Sequence, residues 1–338
     1  MLLQTTRILL VFNFICRSLL LFVSKPSMLN VPEFNSWLAS SKTRYASLEE
    51  YEYRLKVFSQ NKELVDNHNR ANKGYLLKLN KFAGMSYEEF ADAYLMKPEL
   101  NRSLASAIDP RDVLSQPNIP KRLNWFEMGK VNLPEDQGPC GSCYSFATNA
   151  AIESFYAIHA SQGDLQLFSK QYMVDCGGIR GLDIFGCEGG TLYDSFRFIT
   201  RYGTVLEDEY PYQANEGVCR QQHDMFYRLK SFENVKPTVE RLAEAISKSP
   251  VVLGIEMVPS LRFYKSGIVD TKAPCGFFLN HAVLAVGYDF NDPKPHFIIK
   301  NSYGREWGEE GFFKIAMGVP GTYGMCGIAH GSNYRPDQ

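Results

Sequence analysis

Gln137-Gly-Pro-Cys-Gly-Ser-Cys-Tyr-Ser-Phe146 holds two cysteines, Cys140 and Cys143, separated only by Gly141 and Ser142. Gly138, Pro139 and Gly141 oppose a regular element as far as Ser142. From Tyr144 the chain reads YSFATNAAIESFYAIHA, with no Gly or Pro until Gly163, which predicts a buried helix. Cys143 then stands at or just before the first helical turn, where unpaired backbone N–H groups and the macrodipole favour an anion. A thiol held there ionises more readily and becomes a nucleophile. Other chemistry is open to such a pair. Zinc would need a second ligand pair, yet Cys176 and Cys187 are too widely spaced and no His-x3-His follows. A dithiol redox pair belongs to a small βαβ unit, and this chain is longer and richer in cysteine than that. Two purely structural cysteines are the third reading.

More distant residues weigh in favour of the nucleophile. Cys140-Gly-Ser-Cys-Tyr144 matches the C-G-[SA]-C-[WY] signature of papain and the cathepsins. That family carries its histidine and asparagine ~130–150 residues further on. Asn280-His281-Ala282-Val283 falls inside this window, and Asn301-Ser302-Tyr303-Gly304 slightly beyond it. Leu284-Ala-Val-Gly-Tyr288 and Trp307-Gly308-Glu-Glu-Gly311 are similar flanks. The chain resembles a papain-family cysteine protease of the cathepsin L type, from about Glu50 to Tyr334. The resemblance implies an α+β, papain-like fold of two lobes, one helical and one β-barrel-like, with an N-terminal helical inhibitory pro-domain. It implies Cys143 as nucleophile, His281 as base and then acid, and Asn301 as the group that holds the imidazole. Gln137 would donate its side-chain N–H to the oxyanion beside the backbone N–H of Cys143. Gly189 and Gly190 would lie against an extended peptide, with Trp307 also assigned to substrate binding. The pocket for the second residue before the cut would have Leu192, Gly254, Leu279 and Ala282 as walls and a floor near Gly331. None of these is charged, so a hydrophobic residue is expected at that position. The implied bridges are Cys140–Cys187, Cys176–Cys219 and Cys275–Cys326. Expected partners are polypeptide substrates, the chain's own propeptide and cystatin-type inhibitors. A monomer with no cofactor or metal is expected.

Five residues depart from the family pattern, one of them Val65, which stands for an isoleucine of the family's pro-helix. Tyr144 follows the nucleophile where Trp is usual. Tyr303 replaces the Trp that covers the Asn–His hydrogen bond from water, which puts the pH range in question. In Lys78-x-Asn80-x-Phe82-x-Gly84, Lys78 stands for a glycine and Gly84 for an aspartate.

The elements that must position these residues read as follows. Residues 1–24 carry Arg7 and two apolar runs broken by Asn13 and Arg17, which reads as a secretory signal rather than a span. Residues 25–118 are expected to form the propeptide and 119–338 the peptidase. Glu50, Arg54, Phe58, Asn61, Val65 and Asn69 recur on one helical face, although two asparagines are odd on an apolar stripe. The spacing is similar to the pro-helix motif of the cathepsin L type. Residues 92–118, with three prolines and a sequon at Asn101, read as a linker. Helices are predicted after Ser169, an N-cap, and from Leu192 to Tyr202. After Pro250 the pattern changes to strands, at Val251–Ile255, His281–Tyr288 and His296–Asn301. A helical lobe thus supplies Cys143, and a β lobe supplies His281 and Asn301.

Composition agrees. A 45% hydrophobic chain of 338 residues can fill two lobes, and a net charge of −1 gives no basic footprint for nucleic acid. Of eight cysteines, Cys16 lies in the expected signal, which leaves an odd number and one free thiol. The route is secretory, to a lysosome or the cell exterior. The rival classes are a catalytically weak homologue that only binds and a redox or metal protein using Cys140 and Cys143. His68, His159, His223, His296 and His330 read as surface or structural residues.

Overall fold

The structure, a computed structural model, describes residues 30–97, 118–159, 165–220, 227–270, 273, 275, 276, 278–318 and 323–337. The expected signal and the Asn101 sequon lie outside these residues. In chain order the elements are α1 (Val31–Ser41), α2 (Leu48–Arg70), β1 (Tyr75–Leu77), α3 (Tyr87–Tyr94) and β2 (Arg122–Asn124). They continue with α4 (Cys143–His159), α5 (Lys170–Cys176), α6 (Leu192–Tyr202), β3 (Ser231–Asn234), α7 (Val239–Ile246) and β4 (Val251–Ile255). The last are β5 (Tyr264–Val269), β6 (His281–Asp289), β7 (His296–Lys300), β8 (Phe312–Ala316) and β9 (Tyr334–Asp337).

Contacts divide the chain into two compact units, one within residues 1–63 and 83–85, the other within 64–82 and 86–338. The first is built on aromatic packing of α1 against α2. Phe34 meets Phe58 at 5.2 Å between ring centroids, and Trp37 meets Phe58 at 5.7 Å. The polar members of the α2 stripe hold backbone. Asn61 Nδ2 donates to the carbonyls of Ala83 and Met85, both at 2.9 Å, and Arg54 Nη1 donates to that of Gly84 at 3.0 Å. Buried carbonyls need such donors, so an asparagine on an otherwise apolar stripe is stabilising here. Gly84 is a glycine for lack of room. A Cβ there would stand 2.7 Å from both Trp37 Cη2 and the Tyr45 hydroxyl.

The second unit also includes residues 64–82 and 86–97 of the N-terminal segment. Asn69, last on the α2 stripe, exchanges two hydrogen bonds of 2.9 Å with the backbone of Leu77. This pins β1, which adds antiparallel to β5. Asn80 Nδ2 donates to the carbonyl of Arg262 at 2.8 Å. Ser86 and Glu89 then form a reciprocal capping box that starts α3.

The rest of this unit has a helical and a β part, as expected. α4 is buried on every side from Cys143 to Ser154, the mark of a central helix. Ser169 caps α5 by accepting from the Tyr172 N–H at 2.9 Å, and Thr191 caps α6 by accepting from Asp194 at 3.1 Å. The sheet runs β1-β5-β8-β7-β6-β4-β9-β3, with β2 paired to β6. β5 and β8 are parallel and the other pairs antiparallel. β6 sits between β4 and β7 and is buried from His281 to Tyr288, so its first residue is delivered to the face of α4.

Candidate active site

Cys143 is the first residue of α4 and is completely buried. Its Sγ accepts the backbone N–H of Ala282 at 3.4 Å, which ties it to the start of β6. His281, the residue before, turns its Nε2 to Asn301 Oδ1 at 2.8 Å. The same oxygen accepts the backbone N–H of Ser302 at 2.8 Å, so the end of the amide facing the imidazole is the carbonyl. His281 Nε2 therefore carries the proton, and neutral Nδ1 is left as an acceptor.

Gln137 is fully buried six positions before Cys143. Its Oε1 accepts from Ser302 Oγ at 2.6 Å, and its Nε2 donates to Cys140 O at 2.7 Å and to Tyr94 O at 2.9 Å. Both N–H groups are thus spent, one of them on the N-terminal segment. That segment also pairs with the rims of the site, Met96 N–H to Asn280 O at 2.9 Å and Lys97 N–H to Glu188 O at 3.2 Å. Over the imidazole lies Tyr303, stacked at 4.9 Å between centroids with 25° between planes. Phe82, Phe90 and Tyr94 set their rings edge-on to Tyr303 at 5.3, 5.7 and 6.0 Å. The Asn–His bond is therefore dry despite the smaller ring at position 303.

This cover reverses the electrostatics expected of a thiol at a helix N-terminus. Burial pushes the Cys143 thiol up to about 12, against the weaker pull of the N–H groups of Ala282, Tyr144 and Cys143 itself. Burial also holds the His281 imidazole down to about 4, with the Asn301 hydrogen bond opposing it. Thiol and imidazole are both neutral in this state.

The remaining expected residues fall as follows. Gly190 lies so close to the nucleophile's neighbour that a Cβ would stand 3.1 Å from the Tyr144 ring, and Tyr144 sends its hydroxyl to Gly186 O at 2.9 Å. Gly189 adopts φ +120°, open to glycine alone at little cost. Gly254 faces Ala282 across the β4–β6 ladder, and a Cβ on it would meet Leu279 Cδ1 at 2.9 Å. Leu192 opens α6, and Gly331 has φ +98° with its carbonyl held by Asn234 Nδ2 at 2.6 Å. Trp307 is buried, its indole N–H bonded to Arg262 O at 2.9 Å. Cys140–Cys187, Cys176–Cys219 and Cys275–Cys326 are bridged, and Cys143 is the free cysteine among the described residues.

Sequence reasoning missed Ser302, which orients the Gln137 amide although it stands inside the Asn301-Ser302-Tyr303 motif. It also missed the buried charges behind the site, where Lys170 meets Glu135 at 2.8 Å and Glu153 at 3.2 Å. A lysine just inside a helix start between apolar runs was the available signal.

Residues 119–335 match the papain family cysteine protease description, and residues 34–90 match the cathepsin propeptide inhibitor domain. Cysteine proteinase 2 of Zea mays is 36% identical over 298 residues, 86% of this chain and 80% of that protein. Papain of Carica papaya is 33% identical over 307 residues, 89% of this chain and 85% of papain. Among solved structures, the proform of the ragweed pollen allergen Amb a 11, a cysteine protease, superposes with TM-score 0.79 at 30% identity, covering 90% of this chain and 92% of that one. Procathepsin L 3 from Tenebrio molitor larval midgut superposes with TM-score 0.76 at 29% identity, covering 91% and 98%. These matches define the class, a cysteine protease made with an inhibitory propeptide as a zymogen. The chain belongs to the papain family.

Proposed function

We propose that this zymogen matures to an endopeptidase in which Cys143, His281 and Asn301 act together. Once the propeptide leaves, His281 Nδ1 takes the Cys143 proton, and the thiolate attacks the substrate carbonyl carbon. The oxyanion is held by the Gln137 side-chain N–H freed from Tyr94 and by the Cys143 backbone N–H. The imidazolium then protonates the leaving amine, and water hydrolyses the acyl-enzyme with His281 again as base. Asn301 transfers no proton; it fixes the tautomer. The observation that carries this reading is the join of Cys143 Sγ to Ala282 N while His281 Nε2 is held by Asn301 Oδ1.

Gly254, Leu279 and Ala282 support an apolar pocket for the second residue before the cut, with Leu192 and Gly331 completing it. Burying a Phe or Leu side chain there contributes on the order of 1.5–3 kcal/mol, and Arg finds no counter-charge. Three sulfur bridges support a secretory route, lysosomal or extracellular. No long insertion in the sequence blocks either end of the substrate groove, which favours an endopeptidase.

The test is labelling of the processed protease with an epoxide thiol inhibitor. The label is expected on Cys143. Cys143→Ala is expected to abolish cleavage and labelling with all three bridges intact, and His281→Ala to lower kcat by ~10²–10⁴-fold. Peptide cleavage by Cys143→Ala at the parent rate would refute the assignment. A fluorogenic dipeptide library is expected to favour Phe, Leu or Val over Arg at the pocket position.

A further inference from the structure

The segment that covers the site sets a lysine on a carboxylate at two places. Lys97 Nζ lies 2.6 Å from Glu188 Oε1, and the Lys97 backbone N–H donates to the Glu188 carbonyl at 3.2 Å. Lys81 Nζ lies 2.5 Å from Asp136 Oδ2, with the Phe82 and Tyr94 ring centroids 5.1 and 5.6 Å away. Between the two lysines the segment rests on the reacting groups, Tyr94 O on Gln137 Nε2 and Met96 N–H on Asn280 O. Among the described residues, these lysines are the ion-pair partners of Glu188 and Asp136.

Both carboxylates are held in place by the peptidase itself. Glu188 ends the turn Gly186–Glu188, next to Cys187, whose carbonyl accepts the Gly141 N–H at 2.8 Å and whose sulfur is bridged to Cys140. Asp136 precedes Gln137. Its Oδ1 accepts the Gly138 N–H at 3.0 Å, and its backbone bridges to Tyr303. Oδ2 is left for Lys81. The two carboxylates belong to opposite sides of the cut. Glu188 adjoins Gly189 and Gly190, on the side of the residues before it. Asp136 adjoins Tyr303, which stacks on His281, the group assigned to protonate the leaving amine.

We propose that Glu188 and Asp136 are specificity-determining residues, each seating a basic side chain of the substrate, Glu188 before the scissile bond and Asp136 after it, where Lys97 and Lys81 sit in the zymogen. The proposal rests on the maturation and the Cys143 chemistry above. Departure of the segment takes the cation from each carboxylate and leaves it facing the groove. An ion pair demands no particular backbone direction, so a substrate lysine serves as well as a propeptide lysine. The pocket for the second residue before the cut carries no charge, so the preferred substrate is a stretch in which basic residues flank a hydrophobic one. Side-chain exposure is 51 and 59% for Lys97 and Glu188, and 35 and 46% for Lys81 and Asp136, so each pair is worth only about two- to fivefold in kcat/KM.

The experiment takes the processed protease and internally quenched peptides with Phe at the pocket position. One lysine, or its uncharged counterpart norleucine, is moved through the first and third positions before the cut and the first three after it. The parent is expected to prefer lysine by about two- to fivefold at one position on each side, and less so in high salt. Glu188→Gln removes the preference before the cut alone, and Glu188→Lys reverses it. Asp136→Asn removes the preference after the cut alone, while its amide oxygen still serves the Gly138 N–H. Equal cleavage of lysine and norleucine peptides by the parent overturns the proposal, as does a lysine preference that survives in Glu188→Gln and Asp136→Asn. Failure of the underlying catalytic reading is distinguishable, because it appears as undiminished cleavage of every peptide by Cys143→Ala.

Discussion

The backbone carbonyl of Tyr94 accepts a hydrogen bond of 2.9 Å from the side-chain amide of Gln137. The other N–H of that amide is held by Cys140 O, so Gln137 has no donor to offer an oxyanion while α3 is seated. On the proposed roles of Gln137 and Cys143, latency has three parts: a covered cleft, an occupied donor and a neutral thiol. With the thiol pushed up to about 12, alkylation of Cys143 at pH 7 is expected to be at least ~100-fold slower in the full chain than after processing. Equal rates by mass-spectrometric time course would contradict this.

The cover also titrates. His281 is held down to about 4 by burial while α3 is seated, and the opposing Asn301 hydrogen bond is outweighed. In an opened site the imidazole regains its ordinary value near 6.5. Between these values the open state binds more protons, so acid favours opening. The contribution of this group to closure is complete above about pH 6.5 and is lost progressively down to about 4, some 3 kcal/mol in all. His68, lowered mainly by burial beside β1, acts in the same sense. Hydrogen exchange of α3 in full-length Cys143→Ala, corrected for intrinsic rates, is expected to speed up across this window and to do so less in Cys143→Ala/His281→Gln. Flat protection from pH 7 to 4 would rule out the linkage.

Gly84 makes no acidic contribution, because it has no carboxylate. The absence of an aspartate there has a steric basis in Trp37 and Tyr45. Gly84→Ala and Gly84→Asp are both expected to destabilise the zymogen by ~1–3 kcal/mol, since the first carbon already overlaps these rings. Thermal melting checks this. A variant as stable as the parent would mean that the rings move aside, and Gly84→Asp would then become a clean test of an acid switch.

In the proposed pocket, Gly254 sets the width. Its Cβ would stand 2.9 Å from Leu279 Cδ1, a flexible tip that can yield into the pocket. Gly254→Ala is expected to lower kcat/KM for Phe relative to Val by about 10-fold, within the range a methylene can discriminate. An unchanged ratio would place the pocket elsewhere. Gly331→Glu is the poorer probe, because φ +98° strains any side chain there.

Local signals carried much of this into the sequence. Thr191 and Gly203 bracket α6, and Ser169 marks α5, so those helices are readable from caps. The apolar runs at Val251–Ile255 and His281–Asp289 are readable as strands because both faces are buried. The three-residue strands β1 and β2 are not, because their pairing is set by β5 and β6, far along the chain. The capping box at Ser86 and Glu89 was legible in principle and carried no apolar run long enough to draw notice. Cys143 shows the clearest gap. Its helix position is local, whereas its ionisation is set by burial and by a backbone N–H, that of Ala282, which lies far along the chain.

Removal of the propeptide takes β1 away from β5 and leaves Tyr264–Val269 as a border of the sheet. A bare border invites a neighbouring molecule to add a strand. This one is already blunted: Lys265 projects an exposed charge, Gly267 kinks at φ +95°, and the pairing slips in register between Leu76 and Leu77. The extra residue at that slip, Lys265, and the bend at Gly267 belong to β5 itself, so the features that disfavour strand addition stay with the mature protease.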